Sequence, residues 1–146
     1  MARGYILLVE DNPADEALTI RALRRHEMPV EIDVVRDGQE AIDYLLCEGA
    51  HADRDPFDMP QVVLLDLKLP KLSGHDVLRA IRANDRTRRL PVVVMTSSSQ
   101  ERDIQMSYDL GANSYVRKPV ESGAFSDVVQ QLGLYWLATN ETSTGT

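Results

Sequence analysis

Five short strand-like runs recur along the chain, and each is followed by a stretch that reads as loop or helix. The runs are Tyr5–Val9, Ile32–Val35, Gln61–Leu65, Pro91–Met95 and Ser114–Arg117. Runs this short and continuous fit strands buried on both faces. Helical segments separate them. Asn12-Pro13 reads as an N-cap and first helical position, and an apolar stripe through Leu18, Ala22 and Leu23 continues towards a stop near Pro29. Asp37-Gly38 turns the chain into a second helix, Gln39–Cys47, with Ala41, Ile42, Leu45 and Leu46 facing inward. Further helices are expected at His75–Ala83, Gln100–Leu110 and Ser122 to about Leu137. Glu48–Pro60, polar and marked by Pro56 and Pro60, is an unusually long loop for such a unit, and Leu67–Gly74 is a connecting loop. Strict alternation of strand and helix implies an α/β domain: parallel strands, right-handed crossovers and helices on both faces of a doubly wound sheet. The alternation alone leaves the strand order open. It predicts one domain over residues 1–137 and a small-polar tail, 138–146, without order of its own.

Composition narrows the function. A chain of 146 residues can bury a substantial core without cross-links. Its net charge of −7 argues against nucleic acid as the main partner, because a phosphate backbone calls for a basic face. The basic clusters Arg24–Arg25 and Arg86–Arg89 read as solvated faces. Cys47 is the single cysteine, so an internal disulfide is excluded; within its apolar stretch it reads as a small hydrophobe rather than a catalytic thiol. Met1 leads almost directly into a strand without a signal-type apolar region, and no run approaches the ~20 residues of a membrane span. A cytoplasmic protein with no membrane association is expected.

The ends of the strands carry the chemistry. Glu10 and Asp11 close the first, Asp66 the third, Thr96 the fourth and Lys118 the fifth. Alone, each has an ordinary reading: a helix-capping acid, a turn threonine, a surface lysine. Together they are more specific, because the carboxyl ends of parallel strands share one edge of the sheet, where ligands of such folds gather. Three carboxylates form a hard-oxygen site suited to Mg²⁺. With Lys118 and Mg²⁺ their formal charge cancels, so a phosphoryl group on Asp66 leaves only one net negative charge. In that arrangement Asp66 is the nucleophile, Mg²⁺ and Lys118 neutralise phosphoryl oxygens, and the Thr96 hydroxyl donates to one of them.

The motifs Leu8-Val-Glu-Asp-Asn12, Leu64-Leu-Asp-Leu-Lys-Leu-Pro70, Gly74, Val94-Met-Thr-Ser97 and Tyr115-Val-Arg-Lys-Pro119 resemble those of receiver domains of two-component response regulators, from about Gly4 to Leu137. The resemblance implies a flavodoxin-like five-stranded sheet in the order 2-1-3-4-5. It implies that Asp66 takes its phosphoryl group from a phosphohistidine on a sensor histidine kinase. It implies Mg²⁺ bound by Asp11, Asp66 and the backbone carbonyl of Lys68, with Glu10 helping through water. Thr96 and Tyr115 are implied as a switch pair coupling the site to the face of the fourth helix, fifth strand and fifth helix. A cis peptide before Pro119 is implied as well.

Two departures from the family pattern stand out. The acidic pair is Glu10-Asp11 where Asp-Asp is commoner, and Lys68 replaces a small polar residue two positions after the acceptor. Lys68 is either a solvent-facing loop lysine or a shield that slows hydrolysis of the acyl phosphate. Leu134-Tyr-Trp-Leu137 places two aromatics on the last helix. Either both pack on the domain's own sheet, or Tyr135 and Trp136 form a homodimer interface. The long loop before the third strand and the aromatic ending resemble single-domain regulators of bacterial and cyanobacterial phytochromes, which implies a bacteriophytochrome kinase as partner. No output domain is recognisable, so output is expected through protein contact or competition for phosphoryl groups, and the only catalysis expected is the chain's own phosphorylation and dephosphorylation. Two rivals remain. An aspartate-nucleophile phosphatase of the haloacid dehalogenase type needs Asp-x-Asp, which Asp66-Leu-Lys does not supply. An unphosphorylated receiver-like interaction module would keep the fold without the chemistry.

Overall fold

The computed structural model describes residues 4–24, 30–118 and 122–140. Five parallel strands, β1 (Tyr5–Val9), β2 (Glu31–Val35), β3 (Val62–Leu65), β4 (Val92–Thr96) and β5 (Ser114–Arg117), form one sheet in the order β2-β1-β3-β4-β5. This is the order that the resemblance implied. The helices are α1 (Pro13–Leu23), α2 (Gly38–Leu46), α3 (Gly74–Ala83), α4 (Glu101–Asp109) and α5 (Ser122–Leu134).

The strand alternation sorts side chains into two cores. Tyr5, Leu7, Val9, Val63, Leu65 and Val92 point to one face, where Ala41, Tyr44 and Leu45 of α2 and Val77, Leu78 and Ile81 of α3 cover them. Ile6, Leu8, Val62, Leu64, Val93 and Met95 point to the other and meet Ala22 and Leu23 of α1 and Val129 of α5. β1, β3 and β4 are buried throughout, as strands covered on both faces must be. β2 and β5 are the edges, and β5 is only half-buried.

Several boundaries differ from the sequence reading for identifiable reasons. α1 closes at Leu23, where the apolar stripe ends, well before Pro29; the Arg24 N–H bonds back to the Ile20 carbonyl. In α2 the inward stripe is Ala41, Tyr44 and Leu45, while Ile42 and Leu46 are half-buried. Tyr44 goes deep because its hydroxyl meets Asp33 of β2 and the Tyr5 hydroxyl, so a buried polar tip is satisfied. Cys47 closes α2 in the left-handed region, φ 57°.

The long connection before β3 contains a 3₁₀ turn, Gly49–His51, and is pinned by one side chain. The Arg54 guanidinium stacks 3.7 Å over the Tyr44 ring and donates to the Tyr5 hydroxyl and the carbonyls of Tyr44 and Asp58. On the same side of the sheet, His75 of α3 meets the buried Ser107 of α4 at 3.0 Å. The Ser107 hydroxyl donates to the Asp103 carbonyl, so His75 Nε2 carries the shared proton.

α5 gives way to a π turn, Tyr135–Thr139, rather than running as α-helix to Leu137. The two aromatics, for which packing on the sheet and a homodimer interface were both open, part here. Trp136 is 8% exposed within the core on the α1 and α5 side, whereas Tyr135 is 48% exposed and meets the Trp136 ring edge-on at 5.1 Å. Pro119, with its expected cis peptide, and residues 141–146 of the expected tail lie outside the described residues.

Candidate functional site

Backbone pairing places the strand-end residues. The Glu10 N–H bonds to the Val35 carbonyl, the Asp66 N–H to the Val9 carbonyl and the Lys118 N–H to the Thr96 carbonyl. Each functional residue therefore sits one step past the ladder, held by the neighbouring strand, at the carboxyl edge. Glu10, Asp11 and Asp66 offer carboxylate oxygens that all lie within 4.8 Å of one another, with Asp11 at the exposed rim. Three converging carboxylates suit a hard divalent cation such as Mg²⁺ or Mn²⁺.

Lys118 closes the cluster. Its ammonium lies 2.6 Å from Glu10 Oε1, 2.9 Å from Asp15 Oδ2 and 3.1 Å from Asp66 Oδ2. Burial pushes the Glu10 carboxyl up to about 7; the Lys118 hydrogen bond and charge pull it down, and the charge of Asp66 adds to the rise. Burial alone would lower the Lys118 ammonium, but the Glu10 hydrogen bond, the charge of Asp66 and the Asp15 hydrogen bond together raise it. The ammonium stays charged beside Asp66.

The loop after β3 fits tightly against two helix starts. Gly74 opens α3 where a Cβ would lie 2.3 Å from the Asp66 carbonyl oxygen and 2.6 Å from Leu67 Cα. Gly38 opens α2 where a Cβ would lie 2.1 Å from the Leu72 carbonyl oxygen. Lys68 donates its backbone N–H to Asp66 Oδ1 at 3.2 Å, and its side chain is exposed.

Thr96 is fully buried at the end of β4, and Tyr115 lies one strand over. Both touch Ser98: the Ser98 N–H points to Thr96 Oγ1 at 3.4 Å, and the Tyr115 hydroxyl donates to the Ser98 carbonyl at 2.9 Å. Ser98 in turn donates its hydroxyl to Asp103 Oδ2 at 2.6 Å, which ties the loop to the first turn of α4. Burial raises the Tyr115 phenol; the hydrogen bond with Ser98 opposes the rise, and the charges of Asp103 and Asp66 add to it.

The structure thus gathers Glu10, Asp11, Asp66 and Lys118, with Thr96 and Tyr115 behind them. Two residues at the site were missed in the sequence. Asp15 reads as an ordinary acid of a helix's first turn. Ser98 reads as one serine in the run Ser97–Ser99. The available signal was position: the first turn of α1 and the loop after β4 both return to the edge where the strands end.

The family model for the response regulator receiver domain matches residues 6–130. The probable methanogenesis regulatory protein FilR2 of Methanothrix harundinacea is 42% identical over 136 residues, covering 92% of this chain and 84% of its own length. The response regulator Rcp1 of Synechocystis is 38% identical over 134 residues, covering 92% of this chain and 89% of Rcp1. Its Mn²⁺-bound structure superposes with a TM-score of 0.89 at 35% identity, over 97% of this chain and 99% of the other. The phosphorylated cyanobacterial phytochrome response regulator RcpA gives a TM-score of 0.89 at 40% identity, again over 97% and 99%. A sheet ordered 2-1-3-4-5, acids and a lysine converging on one edge, and likeness along nearly the whole chain lead to the same place: the chain belongs to the response regulator receiver domain family.

Proposed function

We propose that this chain is a phosphoacceptor of two-component signalling, in which Asp66 takes a phosphoryl group from a phosphohistidine of a sensor histidine kinase. An Asp66 carboxylate oxygen forms the new bond to phosphorus as the phosphorus–nitrogen bond breaks, and the electron pair leaves with the imidazole. Bound Mg²⁺ would supply positive charge to the phosphoryl oxygens, with Glu10, Asp11, Asp66 and the Lys68 carbonyl as the residues to hold it. Lys118 supplies a second, fixed cation, and the Thr96 hydroxyl a hydrogen bond to a phosphoryl oxygen. Charge on Asp66 then draws Thr96, and through Ser98 and Tyr115 the change reaches the face formed by α4, β5 and α5. The chain acts on no other substrate in this reading.

One observation carries the proposal: Asp66, nearly buried, has the Lys118 ammonium at 3.1 Å and two further carboxylates beside it. The test is an intact mass after incubation with Mg²⁺ and a small acyl phosphate, beside Asp66→Asn. One added phosphoryl group, absent from Asp66→Asn, is expected. Failure with small donors and with phosphorylated kinases alike would leave an unphosphorylated interaction module.

The partner proposed is a phytochrome-type kinase, on the likeness to RcpA, described as a cyanobacterial phytochrome response regulator. Faster transfer from such a kinase than from unrelated histidine kinases is the expected result. A homodimer belongs to the same reading, with Leu134 and Tyr135 as exposed apolar residues available to it.

A further inference from the structure

We infer that Asp15 is a positioning residue that tethers the Lys118 ammonium, so that its other N–H bonds stay aimed at the acceptor. This inference rests on the phosphoacceptor reading of Asp66. An ammonium has three N–H donors, and here all three meet carboxylates: Glu10, Asp66 and Asp15. Glu10 and Asp66 also belong to the candidate metal cluster, so their oxygens have a second claim on them. Asp15 is outside that cluster. It holds the lysine from the rim of the site, its side chain 35% exposed against 11% for Asp66.

The start of α1 is arranged to free that carboxylate. Asp15 is the third residue of the helix, the position from which an acidic side chain commonly reaches back to the N–H of the capping residue. At Asn12 that N–H is met by Glu10 Oε2 at 3.3 Å instead. Asn12 Oδ1 meanwhile accepts from the N–H groups of Ala14 and Asp15, which fixes the Asp15 backbone. Glu10 reaches both ways, one oxygen to Asn12 and the other to Lys118. The longer acid at position 10 and the acid at position 15 thus form one arrangement: Glu10 takes over the capping contact, and Asp15 is left to hold the lysine. Generic stabilisation of a helix N-terminus would place an acid in this turn, but it would not bring it to 2.9 Å from a buried ammonium.

The tether also alters the charge around the acceptor. With Asp15 counted, the cluster is one unit more negative than its three metal-facing acids and Lys118 suggest. Lys118 is shared between an anchor and the acceptor, and the direction of its N–H bonds matters more than its bare charge.

Two measurements test this. The chain has three lysines, and Lys68 and Lys71 are both exposed, so they serve as internal references for amine labelling of the metal-free protein. In Asp15→Ala, labelling of Lys118 should rise severalfold relative to them, and in Asp15→Asn, which keeps an acceptor oxygen, it should stay near the wild-type value. At saturating Mg²⁺, phosphorylation of Asp66 by a small acyl phosphate should slow about tenfold in Asp15→Ala, since loss of alignment costs rate steeply. Asp15→Asn should recover most of that rate, with Mg²⁺ affinity by calorimetry unchanged in both. If Asp15→Ala labels or phosphorylates like wild type while the wild type is phosphorylated, the tether is wrong. A wild type that takes no phosphoryl group overturns the phosphoacceptor reading, and this role with it.

Discussion

Gly74 shows how closely the acceptor's backbone is fitted. Its missing Cβ would stand 2.3 Å from the carbonyl oxygen of Asp66 itself, so Gly74→Ala must move either α3 or the acceptor. Overpacking of this kind costs about 1–3 kcal/mol, which denaturant titration should show together with slower phosphorylation of Asp66. Lys68 offers the complementary case. Its N–H is fixed on Asp66 while the residue itself is exposed. If it shields the acyl phosphate, Lys68→Ala should speed dephosphorylation by up to about tenfold, roughly 1.4 kcal/mol of barrier. An unchanged rate would leave it as a loop lysine. At this scale Glu10, Asp66, Thr96 and Lys118 were legible because each ends a strand-like run, and parallel strands bring such ends together. Asp15 and Ser98 were not. A first-turn acid and a loop serine have local roles that account for them fully; nothing along the chain reveals that Asp15 meets a lysine 103 positions away, or which serine of the run Ser97–Ser99 meets Tyr115.

Among the elements, α3 begins with a complete capping box. The Ser73 hydroxyl accepts the Asp76 N–H, and the Asp76 carboxylate accepts the Ser73 N–H. Ser73→Ala should cost about 1 kcal/mol by thermal or denaturant unfolding. The Ser73 hydroxyl also donates to the Asp76 carboxylate, and with help from Arg79 this holds the carboxyl below its usual range. A depressed carboxyl stabilises the fold above its unfolded pKa, and that stability is lost as pH falls through the lower folded value. The stability gap between wild type and Asp76→Asn should therefore be constant near neutrality and shrink on acidification below about pH 4. Most strand and helix ends fell within a residue of expectation because apolar runs stop abruptly at polar ones. The interior of α2 was harder. Periodicity gives a broad inward stripe, but which member lies deepest depended on Tyr44 finding Asp33 and Tyr5 across the sheet.

For the whole molecule, the position of Trp136 separates stability from assembly. Removing a buried tryptophan side chain costs about 3–5 kcal/mol, so Trp136→Ala should destabilise the monomeric fold. Tyr135→Ala, on the surface, should change stability by less than about 0.5 kcal/mol and, if the homodimer uses this end of α5, weaken self-association in sedimentation velocity. Sequence could not divide the two neighbours, because the π turn that carries them breaks the helical periodicity by which inside and outside are told apart. Nor could strand alternation fix the sheet order, since more than one order buries the same runs; the motifs at the strand ends supplied it. That order leaves β5 at an edge with β4 as its one hydrogen-bonded neighbour, and Lys118 follows directly from it. The lysine is thus a rivet, fastening the last ladder rung across β4 to Asp66 at the end of β3 and to Glu10 at the end of β1. Whatever enters the pocket loads or relieves that rivet, so the amide exchange rates of Val116 and Lys118, whose N–H groups face β4, should serve as a gauge of its occupancy, readable without following the chemistry at all.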